Sequence, residues 1–160
     1  MLRTFIAFLG VFAALFMLTG LQTSSSAQSA FSVSWATNGT STLLVNTNIT
    51  TDTLGKPCGN FGFSSTGWTT KCGTASSMVN SRNAAGDYLS TVIGSVRYYT
   101  IDGNGVLSTT SVAATATLKL SKLADGTSTE SLTIVDANNT VLYTTGSLWA
   151  LSRGSIGITL

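Results

Sequence analysis

Polar and apolar residues alternate along most of this chain, and the alternation has a period of two. In Phe31-Ser32-Val33-Ser34-Trp35 the three apolar side chains fall on one side of an extended strand. Val112 to Leu120 repeats the pattern, with Val112, Ala114, Ala116, Leu118 and Leu120 sharing a face, and residues 155–160 carry it to the last position. β-Branched and aromatic side chains dominate the runs 42–46, 89–101, 131–135, 140–144 and 147–151, which predicts strands there too. Asp102-Gly103-Asn104-Gly105, Asp125-Gly126 and Asp136-Ala137-Asn138-Asn139 separate such runs and have the chemistry of tight antiparallel turns. Only 75–88 has a helical look, without caps or a sustained period of 3.6. Short strands at regular spacing joined by hairpin turns predict an all-β fold, an antiparallel β-sandwich or barrel, and the expected form is the sandwich, with which Greek-key connections are compatible.

The beginning of the chain breaks this pattern. Arg3 precedes a nearly unbroken apolar run from Phe5 to Leu18, and small polar residues follow, ending in Ser25-Ser26-Ala27. A basic start, an apolar centre and small residues at the cut predict a secretory signal peptide over 1–27, cleaved after Ala27. The run falls short of the roughly 20 apolar residues that a membrane-spanning helix needs, so no stable membrane insertion is expected after cleavage. What remains, 28–160, is room for one domain, secreted or held at the cell surface.

Composition narrows the chemistry. Only 9% of residues are charged, against about a quarter in an ordinary domain, and histidine is absent. Without histidine there is no Ser-His-Asp or Cys-His catalysis and no imidazole metal site. Beyond the leader the chain has seven basic residues against six acidic ones, scattered and without interleaved aromatics, so nucleic acid is not an expected partner.

Export makes a Cys58–Cys72 disulfide the expected state of the two cysteines, with a pair of free thiols as the alternative. Such a bridge closes a loop of about 15 residues and is worth about 3 kcal/mol by chain entropy. Between the cysteines lie Phe61, Phe63 and Trp68. On a stapled loop they would offer rigid stacking area to a ligand. The plainer reading has them filling one end of the core, because Phe61 and Phe63 also alternate as on a strand face.

Catalytic motifs are lacking. Counting from Asp102 as a calcium loop puts Leu107 and Ala113 where glycine and glutamate belong, so the Asp-Asn fragments read as turns. Asp52, Asp102, Asp125 and Asp136 have turn-like surroundings, Glu130 follows the Asp125 turn, and Asp87 has no partner that the sequence identifies. No acid–base pair emerges, so the expectation is a non-enzymatic protein with neither cofactor nor metal. Asn38, Asn48 and Asn138 begin Asn-x-Thr sequons and are candidate glycosylation sites in a secreted glycoprotein.

In composition and layout the mature chain resembles the small secreted β-sandwich subunits of surface fibres and extracellular matrices, the pilin-like class. The resemblance implies that 28–36, with Phe31, Val33 and Trp35, donates a strand to a neighbouring subunit, and that the lightly charged last strand invites pairing. Ordinary terminal strands in one closed sandwich are the alternative reading of both ends. The expected role is a structural or adhesive subunit that associates with itself or with another surface protein by strand pairing. The alternative is a monomeric module that binds carbohydrate or another surface ligand through the Cys58–Cys72 loop.

Overall fold

A computed structural model describes residues 27–160, and the expected leader lies, up to residue 26, outside the described residues. Nine strands follow in order: β1 (Ser29–Thr37), β2 (Thr42–Thr51), β3 (Pro57–Ser65), β4 (Trp68–Arg82), β5 (Tyr88–Thr100), β6 (Val112–Lys122), β7 (Ser128–Asp136), β8 (Val141–Thr144) and β9 (Trp149–Thr159). All pairings are antiparallel, and from β1 to β8 each strand pairs with its successor in sequence. The ring closes because β9 pairs with β1 along its length and touches β7 at its start.

The expected β-sandwich is therefore corrected to an eight-stranded antiparallel barrel, with β8 as an extra strand on β7. Its meander order contains no Greek-key crossover. Alternation reveals that one face of each strand is buried, but a sandwich and a barrel bury that face alike. What distinguishes them is the pairing of Ser29 with Thr159, a contact between the two ends of the domain that no local pattern encodes.

Closure is staggered. Ala150 lies beside Thr37, at the far end of β1, and also beside Thr129, near the start of β7, as the strand tilt of a barrel requires. Two seams are thin. The β3–β4 ladder is limited to Ser64↔Thr69 and Ser65↔Trp68, and the β7–β9 ladder to Thr129↔Ala150 and Glu130↔Trp149.

Five connections share one geometry. In 52–56, 83–87, 102–106, 123–127 and 136–140 the first N–H donates to the fifth carbonyl and the fourth N–H to the first carbonyl. The fourth residue is a left-handed glycine in four of them, and Asn139, at φ 62°, takes that place in the fifth. In three loops the leading aspartate also accepts from the N–H groups two and four residues on, which commits Asp52, Asp102 and Asp136 to turn formation. The segment with a helical look is instead the end of β4, a turn and the start of β5. Register shifts between Lys71 and Thr74 and between Ala75 and Ser77 break the period of two there.

The interior is filled by side chains. Leu43 and Ile49 from β2, Leu118 and Leu120 from β6, and Leu132 and Ile134 from β7 are almost wholly buried, each worth about 1.5–3 kcal/mol in removal from water. At one mouth Tyr143 of β8 folds against Trp68, which stacks on Tyr98. Towards the other end, Asn80 reaches across to donate to the Ser29 carbonyl at 2.8 Å and the Thr159 carbonyl at 2.7 Å. Bound there by two carbonyls, its amide ties β4 to the ends of β1 and β9.

Candidate functional site

β1 has both edges paired, to β2 and to β9, so its side chains must point either into the barrel or out of it. Ala30, Ser32, Ser34 and Ala36 point in and are buried, which turns Phe31, Val33 and Trp35 outward. Phe31 is half-buried, lying opposite Gly157, while Val33 and Trp35 are each 40% exposed. The shared face of these three residues is thus the outer wall of the molecule. The expected donor strand is built into its own barrel, and neither β1 nor β9 offers an open edge along β1.

Cross-strand neighbours extend the stripe into a surface. Trp35 lies opposite exposed Leu44, Val33 opposite Asn46, and Asn46 opposite Gly62. Because Gly62 has no side chain, the wall dips there into an open depression of about 390 Å³, bordered by Val33, Trp35, Leu44, Asn46 and Thr69. The backbone beside Trp35 is fixed by a bulge in β9. Ser152 Oγ donates to the Trp35 carbonyl at 2.8 Å, and Gly154 sits so close to the Val33 carbonyl that a side chain there would collide with it.

Behind this wall is a carboxyl group. Glu130 is fully buried, and its Oε2 accepts from Ser34 Oγ at 2.7 Å and from Ser32 Oγ at 3.2 Å, while Oε1 has no hydrogen-bond partner. Burial pushes this carboxyl above the usual glutamate range, against the smaller downward pull of the two serines. Sequence reasoning placed Glu130 with the preceding turn. The overlooked signal is its phase, two residues before Leu132 and four before Ile134, on the buried face of β7.

No protein-family model, curated protein or solved structure matches the chain. Its site therefore has to be read from its own geometry. Phe61, Phe63 and Trp68 are 3–4% exposed; the two phenyl rings meet edge to face at 4.7 Å, and Trp68 packs under Tyr143. They belong to the core, the plainer of the two expectations, and not to an exposed stapled loop.

The expected disulfide is also corrected, since Cys58 and Cys72 are both free and exposed. Cys58 lies near the start of β3, its thiol towards the Thr50 carbonyl, whereas Gly73, next to Cys72, presses on the Phe61 carbonyl three residues further along. That offset is about 10 Å of extended strand, beyond the roughly 7 Å limit for bridging Cα atoms.

The sequon asparagines are all exposed. Asn38 shapes the β1–β2 turn by accepting from the N–H groups of Thr40 and Ser41, Asn48 faces outward opposite Asn60, and Asn138 stands in the β7–β8 loop. Asp87 joins two loops, accepting from the Ala124 N–H and the Asn83 amide, and these bonds hold its carboxyl below the usual range. Among the described residues, no three Cys, Asp or Glu side chains are grouped to hold a metal ion.

Proposed function

We propose that this chain is an exported, non-enzymatic binding module whose outer β1–β3 face takes a glycan. One observation carries the reading: β1 turns serines inward and tryptophan and valine outward on a strand paired at both edges. Burial alone favours the opposite arrangement; Glu130 accounts for the inward serines but not for an exposed tryptophan and valine, which point to a contact surface. The chemistry of the face suits a sugar. The Trp35 indole offers a flat apolar surface with a polar edge for the C–H face of a pyranose, while Asn46 and Thr69 around the Gly62 depression supply donors and acceptors for hydroxyls.

Export is supported by the charged, apolar and small-residue sequence of the leader. The filled interior favours an outer site over a ligand chamber, and the full pairing of β1 favours a side-chain surface over donation of that strand. A glycan array probed with the mature protein tests the proposal. Binding by the wild type that is lost in Trp35→Ala and kept in Trp68→Phe supports it, and equal binding by wild type and Trp35→Ala overturns it.

A further inference from the structure

The segment of β9 that closes the barrel also supports the Trp35 face. Trp149 and Ala150 form the whole β7–β9 ladder, while Ala150 and Leu151 pair with Thr37 and Ala36, and Ser152 holds the Trp35 carbonyl. On the inner side of this seam is Glu130, itself one of the two β7 residues in the ladder. Its hydrogen-bond partners are Ser32 and Ser34 from β1 and its ladder neighbours Leu120 from β6 and Trp149 from β9, and none of these carries a charge. Every lysine and arginine among the described residues is exposed, so no buried cation faces the carboxyl.

We propose that Glu130 is a positioning residue that latches the β7–β9 seam while neutral, so that its ionisation opens the seam and loosens the support of the Trp35 face. A neutral carboxyl brings no charge into this enclosure and leaves at most one O–H unpaired at Oε1, a smaller penalty than a buried charge. An ionised one has only two serine hydroxyls and an unpartnered Oε1, and it draws in water. The β7–β9 ladder of two residue pairs, matched in shortness by β3–β4 alone, is the one that Glu130 belongs to, so opening there breaks few hydrogen bonds. Opening exposes Trp149 and leaves residues 150–152, which brace the end of β1 that carries Trp35, held from the β1 side alone.

That the loosened face is a binding face rests on the function proposed above; the latch itself is read without any ligand. Acrylamide quenching counts accessible tryptophans, and of the three in the chain only Trp35 is exposed, Trp68 and Trp149 being about 95% buried. Between about pH 5 and about pH 9, the wild type should go reversibly from one quenchable tryptophan to two while keeping its β-sheet circular dichroism. Glu130→Gln should stay at one throughout. A flat wild-type profile, the same rise in Glu130→Gln, or a rise to three with loss of the β signal overturns the latch. Should Glu130→Gln fail to fold, Glu130→Met takes its place under the same criteria. Failure of the glycan array leaves these outcomes unchanged.

Discussion

β6 turns Ala114, Ala116, Leu118 and Leu120 inward and Thr115, Thr117 and Lys119 outward, whereas β1 turns Ala30, Ser32, Ser34 and Ala36 inward and Phe31, Val33 and Trp35 outward. Both strands are flanked on both sides in the same wall, and both alternate over these residues. β6 is therefore held by what it buries, and β1 by its two partners and by Glu130. Slipping β1 by one residue would exchange its faces. Its backbone ladders to β2 and β9, together with the hydrogen bonds of Ser32 and Ser34 to a carboxyl that needs them, oppose that slip. The difference teaches that a regular pattern can mark a surface as well as a core.

The comparison breaks most visibly in β6. Leu118→Ala leaves a cavity among fully buried neighbours and should cost about 2–5 kcal/mol in urea unfolding. In β1 the sensitive inward position is Ser34. Ser34→Ala removes the shorter bond to the buried carboxyl and should cost about 1–3 kcal/mol by the same measurement.

The pH dependence of stability sharpens the comparison further. The folded state holds the Glu130 proton more tightly than the unfolded chain does, because burial raises its pKa. The stabilisation from that proton is fully present below the ordinary glutamate value and is lost as pH rises through the folded one. The urea midpoint of the wild type should thus fall with rising pH relative to that of Glu130→Gln, and parallel profiles would contradict this. Smallest is the effect of the cysteines. Native protein should show two thiols to a chromogenic disulfide reagent, and Cys58→Ser with Cys72→Ser should change stability by no more than about 0.5 kcal/mol.

Much of the strand content was legible in the sequence, because period two survives wherever a strand is regular, as in β1 and β6. The turns were legible for a related reason: Asp102 and Asp136 shape their loops with their own side chains, which is local chemistry. Closure was not, since Ser29 and Thr159 meet across the whole domain, and β4 was obscured by its register shifts. The candidate site was legible as a set, but the direction it faces was not. Phe31, Val33 and Trp35 were grouped correctly on one face, but hydrophobicity alone assigns such a face to burial, and only Glu130 on a distant strand explains why the serines face inward. The same reliance on local context left Glu130 with its turn, whereas the alternation of Phe61 and Phe63 already favoured the core position that their burial shows.

In the proposed function Trp35 faces outward for contact and contributes little to the fold. Comparing wild type and Trp35→Ala on one glycan array, with the unfolding midpoint of each, tests it most directly. The variant should lose glycan binding while its stability stays within about 0.5 kcal/mol of the wild type. A variant that binds as the wild type does, or that loses stability on the scale of Leu118→Ala, would contradict it.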